Sequence, residues 1–176
     1  METVYDAGGR MISKIDADGF STSCTYDAAG NIVTETNPNG AVTRRTYDAV
    51  GNIRKVTDHA GNISSFAYDK MNRVVTKTDA LGGEIKYTYS PAGDLLTETN
   101  AMGGTVTYTY DAYGNCLTKE DAKGNVTTYT YDANNNMLTS KDALNHVTTY
   151  TYDERNLLIR VTDANNQSVS YGYDAL

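Results

Sequence analysis

Apolar and polar residues exchange places over short stretches along this chain. Segments of about six residues rich in Thr, Val, Ile, Leu and Tyr, such as Val106-Thr107-Tyr108-Thr109-Tyr110, alternate with clusters of Asp, Asn, Gly and Ala. Within the segments the alternation is partial and has a period of two. That period, the shortness and the β-branched side chains predict strands rather than helices. Tyr-Asp punctuates the pattern at Tyr5, Tyr26, Tyr47, Tyr68, Tyr110, Tyr131, Tyr152 and Tyr173. Tyr89-Ser90 fills the remaining place, so every interval is 21 residues. A fixed period of this length marks a stacked array. Residues 1–4 read as a leader, 5–172 as eight complete units, and 173–176 as a truncated ninth.

Numbering each unit from its tyrosine as column 1 exposes the turns. Column 2 is Asp except at Ser90, and column 12 is Asp or Asn. Columns 5 and 15 hold only Gly or Asn. Those two residues tolerate positive φ, and Asp or Asn side chains can close a turn onto the backbone. Asp27 with Gly30, Asp48 with Gly51 and Asp111 with Gly114, together with Asp132 and Asp153, mark the first turn of their units. Asp58 with Gly61 and Asp121 with Gly124 mark the second. Two turns per unit predict two short antiparallel strands, hence an all-β meander of about sixteen strands, one curved antiparallel sheet of tandem hairpins.

The odd period constrains the turns. Two even loops would give an even period, so one loop is odd or one bulge recurs per unit. Asn37-Pro38-Asn39-Gly40 reads as a type I turn closed by a glycine bulge, a three-residue loop over columns 13–15. The Tyr-Asp turn is then expected to have an even loop over columns 3–6. This register places columns 1, 8, 10, 18 and 20 on one face. The column-1 tyrosines Tyr26, Tyr47, Tyr110, Tyr131 and Tyr152 share it with the column-20 tyrosines Tyr108, Tyr129 and Tyr150. Column 7 is expected on the opposite face, among Thr and Ser.

Composition removes several functions. The net charge is −7, which argues against nucleic acid as the main partner. No apolar run is long enough to span a membrane as a helix, and no signal peptide is visible. Two Cys, Cys24 and Cys116, make no disulfide framework, and the expected register puts them on opposite faces as free thiols. His59 and His146 fall at turns. Fifteen Tyr against two Phe and no Trp is the unusual figure, because something uses tyrosine repeatedly.

The unit resembles the YD repeat of Rhs proteins. The likeness is clearest in Tyr110-Asp111-Ala112-Tyr113-Gly114-Asn115 followed by Asp121-Ala122-Lys123-Gly124-Asn125-Val126-Thr127-Thr128-Tyr129-Thr130. Similar repeats occur in the B and C subunits of insecticidal toxin complexes, in wall-associated bacterial proteins and in animal teneurins. The resemblance covers essentially the whole chain. It implies a sheet that spirals into a hollow shell, enclosing a C-terminal toxic domain in polymorphic toxins and serving cell adhesion in teneurins. It also implies secreted or cell-surface parent proteins, without giving an address for this stretch. The closing Asp-Pro-x-Gly-Leu motif of the Rhs core has no counterpart, since the chain ends at Asp174-Ala175-Leu176. An excised segment or idealised array is the expectation.

Fourteen of the sixteen Asp lie in columns 2 and 12, which could suggest a calcium ladder. Equivalent strands lie about 9.5 Å apart, however, against ligand distances of about 2.3–2.6 Å, so turn closure is the expected role. No metal or cofactor is expected. A catalytic group must be made distinct by its surroundings, and a repeat gives every group the same surroundings. The expectation is a non-enzymatic structural module. The alternative is an adhesion or carbohydrate-binding module using the tyrosine face. Free sheet edges and the Tyr/Leu face also lead us to expect self-association.

Overall fold

The computed structural model describes residues 1–174. Ala175 and Leu176, the end of the expected ninth unit, lie outside the described residues. No described residue is helical, and no helix is long and apolar enough to cross a membrane. The chain divides into two compact units, Met1–Ile85 and Lys86–Leu176. The first holds β1 (Glu2–Tyr5), β2 (Met11–Ile15), β3 (Ser21–Tyr26), β4 (Ile32–Thr36), β5 (Val42–Tyr47), β6 (Ile53–Thr57), β7 (Ile63–Tyr68) and β8 (Val74–Thr78). β9 (Glu84–Tyr89) straddles the boundary. The second continues with β10 (Leu95–Thr99), β11 (Thr105–Tyr110), β12 (Cys116–Glu120), β13 (Val126–Tyr131), β14 (Met137–Lys141), β15 (Val147–Tyr152), β16 (Leu158–Thr162) and β17 (Ser168–Ser170). The seventeen strands form one antiparallel sheet. Two strands for each complete unit account for sixteen. The seventeenth is β1, which ends on the first tyrosine and takes in leader residues 2–4.

Both turns of a unit have the same geometry. Asp27 N–H donates to the Asn31 carbonyl (3.0 Å) and Gly30 N–H to the Asp27 carbonyl (3.1 Å). One unit later Asp48 N–H donates to Asn52 (2.9 Å) and Gly51 N–H to Asp48 (3.2 Å). In the second turn Asp58 N–H donates to Asn62 (3.0 Å) and Gly61 N–H to Asp58 (3.0 Å). Each is a three-residue loop whose last residue takes positive φ, the type I turn with a glycine bulge. Every residue of columns 5 and 15 in the eight units has positive φ, as at Gly30 (91°), Gly51 (93°), Gly124 (82°) and Asn156 (62°).

The expected even loop over columns 3–6 is therefore wrong. Gly51 and its column-5 equivalents are not interior to a four-residue loop; each is the bulge residue that ends a three-residue one. The odd count of the unit comes from a strand bulge instead. Tyr26 pairs with Ile32 but Thr25 pairs with Thr34, so Val33 in column 8 is the extra residue. The same shift recurs between Thr130 and Tyr131, skipping Leu138. With two identical three-residue loops alone, each unit would face the opposite way from the last. One extra residue per unit restores the facing.

The register also corrects column 7. Column 1 pairs directly with column 7, as in Tyr110 with Cys116 and Tyr131 with Met137. Directly paired residues share a face, so column 7 lies with the tyrosines. Cys24, in column 20, and Cys116, in column 7, each occupy the tyrosine face of their own unit, and both thiols are free. The opposite face is built from columns 9, 11, 17, 19 and 21. There threonine hydroxyls pair across strands, at 2.6 Å for Thr109 with Thr118 and for Thr130 with Thr139. Burial alternates accordingly along β9, where Ile85, Tyr87 and Tyr89 are half-buried and Glu84, Lys86 and Thr88 exposed. Among the described residues only Cys24 is buried, at 6% exposure. This is a single layer, not the two packed layers of an ordinary globular core.

Candidate functional site

The aspartates work inside their own turns. Asp27 Oδ1 accepts the backbone N–H groups of Ala29 and Asn31, each at 2.9 Å, and Oδ2 accepts Asn31 Nδ2–H at 3.0 Å. Asp58 does the same with Ala60 and Asn62, and Asp121 with Lys123 and Asn125. Asp48, Asp111 and Asp132 repeat it with Asn52, Asn115 and Asn136. Asp153 caps its turn through the N–H groups of Arg155 and Leu157. The glycines Gly30, Gly51, Gly61, Gly114 and Gly124 supply the positive φ that brings those N–H groups round to the carboxylate. At Asp69, where Arg73 follows in place of Asn, Arg73 Nε reaches Oδ2 at 2.8 Å. Ser90 is too short for this geometry. Its Oγ accepts the N–H groups of Gly93 and Asp94 and donates to Asp94 Oδ2 at 2.9 Å, so the carboxylate moves to the other side of the turn.

These bonds shift the acids. The Asn31 side chain, followed by its backbone N–H, holds the Asp27 carboxyl below the usual carboxylate range. Asp58, Asp121 and Asp132 are lowered by their partners Asn62, Asn125 and Asn136 in the same order. A depressed folded value contributes stability that is whole above the unfolded value near 4. It is lost as pH falls through the depressed folded values. Thermal melts between pH 6 and pH 2 are therefore expected to hold level down to about pH 4 and then fall. Asp132→Asn is expected to make the fall shallower, because the variant removes one of the titrating groups. An unchanged slope would refute this assignment.

The tyrosines join one unit to the one before. Tyr26 Oη donates to the Met11 carbonyl at 2.6 Å, Tyr47 to Ile32 at 2.7 Å and Tyr68 to Ile53 at 2.8 Å. Tyr110 donates to Leu95, Tyr131 to Cys116 and Tyr173 to Leu158, each at 2.9 Å, and Tyr152 to Met137 at 3.1 Å. Every acceptor is in column 7 of the preceding unit. The register explains the need: the β12–β13 ladder runs from Glu120↔Val126 to Thr118↔Thr128, and Cys116 lies beyond its end. The tyrosine hydroxyl supplies the donor that the ladder does not. Burial pushes the hydroxyls of Tyr68, Tyr110, Tyr131 and Tyr152 up, so they stay protonated donors. Sequence reading missed these rungs. The available signal was column 1, which is always Tyr, while column 20 admits Phe66, Cys24 and Arg45.

A second set of links runs between the Tyr-Asp turns. Asn115 Nδ2–H donates to Asn135 Oδ1 at 2.7 Å, Asn136 to Asn156 at 2.8 Å and Asn52 to Asn72 at 3.0 Å. Asn in column 5 thus accepts a bond from the preceding unit as well as tolerating positive φ. The column-20 tyrosines Tyr108, Tyr129 and Tyr150 oppose Lys119, Ser140 and Val161, and all three are half-buried. Among the described residues no three His, Cys, Asp or Glu side chains cluster to hold a metal. Burial pushes both thiols up, away from a reactive thiolate.

The family model described as RHS Repeat matches residues 5–45, 47–84, 89–120, 111–145, 131–164 and 152–176. Among curated proteins no sequence matches. Solved structures do. The TcdB2–TccC3–Cdc42 crystal structure shares 16% identity at a TM-score of 0.78, over 94% of this chain and 11% of that one. The TcdB2–TccC3 crystal structure shares 17% at 0.77, over 94% and 12%. A Tc holotoxin pore of Photorhabdus luminescens shares 18% at 0.71, over 86% and 9%. The chain therefore spans about a tenth of the length of these structures, and the likeness is one of fold.

Proposed function

The chain belongs to the RHS repeat family, and we propose on that footing that it is a stretch of non-enzymatic wall, whose parent protein encloses a C-terminal toxin or effector domain. The observation that carries this reading is the recurring hydroxyl rung, Tyr to the carbonyl fifteen residues earlier, found first at Tyr26 and last at Tyr173. Backbone ladders and rungs bond the units in series, and asparagine links add to them where column 5 is Asn72, Asn135 or Asn156. Among the described residues the same turn and rung contacts recur from unit to unit, as at Asp27 and Asp132 and at Tyr26 and Tyr131. The single-layer architecture supports the same reading, because a sheet with two open faces can divide an inside from an outside. Strands about 4.8 Å apart leave no opening through which a protease could reach.

Limited proteolysis of the parent polypeptide tests this. The C-terminal domain should resist cleavage while the wall is intact. It should become cleavable when Tyr110→Ala and Tyr131→Ala are combined. A domain cleaved equally fast with and without those substitutions would remove the enclosing role.

A further inference from the structure

The tip of the Tyr-Asp turn is the column that varies most freely from unit to unit. Column 4 runs Gly8, Ala29, Val50, Met71, Ala92, Tyr113, Asn134 and Arg155, so it holds alanine in two units and an aromatic residue in the sixth alone, where Tyr113 is 83% exposed. The fold does not require an aromatic ring there, as the alanine turns demonstrate. Tyr113 lines a surface depression of about 410 Å³ together with Leu117, Tyr129 and Tyr131. That volume lies in the range of small-molecule sites. The Tyr131 hydroxyl is committed to the Cys116 carbonyl, which fixes that ring in place.

Charge selects the occupant. Asp111 and Asp132 belong to the same lining, which contains no Lys or Arg. Their turn hydrogen bonds hold both carboxyls ionised at neutral pH. The chain as a whole carries −7. Aromatic faces attract cations through the ring quadrupole, and flanking carboxylates add to that field. An anion meets only repulsion. An ammonium with an apolar surface satisfies both the rings and the acids. We propose that the depression formed by Tyr113, Leu117, Tyr129 and Tyr131 binds a quaternary ammonium head group between Asp111 and Asp132.

The test is an NMR titration of the 176-residue chain with choline, beside its neutral isostere 3,3-dimethylbutan-1-ol and methyl glucoside. Choline should give saturable shifts confined to the lining residues. The isostere should bind about two- to fivefold more weakly for each ring face engaged. Tyr113→Ala should abolish saturation and Tyr113→Phe should retain it. Alanine is already accommodated in this turn position, so the alanine variant keeps the fold. Asp132→Asn should weaken choline and leave the isostere unchanged. Equal binding of choline and the isostere, a Tyr113→Ala variant that binds like the parent, or saturation by methyl glucoside alone would each overturn the proposal.

Discussion

Tyr131→Ala is expected to destabilise the chain by about 2–3 kcal/mol, less than the roughly 3–5 kcal/mol typical of a fully buried aromatic side chain, because the Tyr131 ring is only half-buried. Two losses add. The ring leaves the face it shares with Met137, its direct partner across the hairpin. The Cys116 carbonyl also loses its donor. Tyr131→Phe keeps the ring and removes only the hydroxyl, and should cost about 0.5–1.5 kcal/mol. Urea denaturation gives the two values. Hydrogen exchange locates them, because in an array of nearest-neighbour contacts the loss should concentrate in β12 and β13. If phenylalanine is as costly as alanine, the ring contributes nothing and the hydroxyl is the whole effect. If phenylalanine costs nothing, the rung is incidental.

Gly114→Val carries the second large effect, about 1–3 kcal/mol. Gly114 has φ 86°, where a β-branched side chain is strained. Space is not the obstacle, since an added Cβ would meet nothing closer than Asp94 Oδ1 at 3.7 Å. Gly51 stands in the same situation, with Asn31 Oδ1 at 3.7 Å as the nearest contact, so Gly51→Val should cost a similar amount. Gly114→Asn should be close to neutral, because Asn135 and Asn156 occupy the same column at φ 65° and 62°. A melting temperature lowered equally by Val and Asn would mean that crowding, not backbone conformation, governs the turn.

The sequence made the turns and strands legible because each rests on a local rule. Only Gly and Asn fill the positive-φ columns, and β-branched runs fill the space between. The bulge was not legible. Column 8 holds Val33, Leu96 and Leu138, which read as ordinary strand residues, and no glycine or proline marks the insertion. That omission stretched the loop around Gly51 and its equivalents by one residue and moved column 7 to the wrong face. Parity alone cannot say whether the odd residue sits in a loop or a strand. The rungs and asparagine links were hidden for another reason. They join residues fifteen and twenty positions apart, whose meeting only the coordinates reveal. The depression beside Tyr113 was hidden for the same reason, because its walls come from consecutive hairpins.

Deleting residues 110–130 joins Thr109 to Tyr131 and removes one 21-residue unit in register. Deleting 110–129 leaves one residue more, and the following strand must flip its faces or bulge. Circular dichroism melts of the two variants bear on whether equivalent units, joined by backbone ladders and tyrosine rungs, determine this fold. A wall of equivalent units predicts that the 21-residue deletion keeps the β spectrum and a melt close to the parent's, while the shorter deletion loses several degrees and melts broadly. If both deletions behave alike, the register does not hold the sheet together and the wall of repeated units is contradicted.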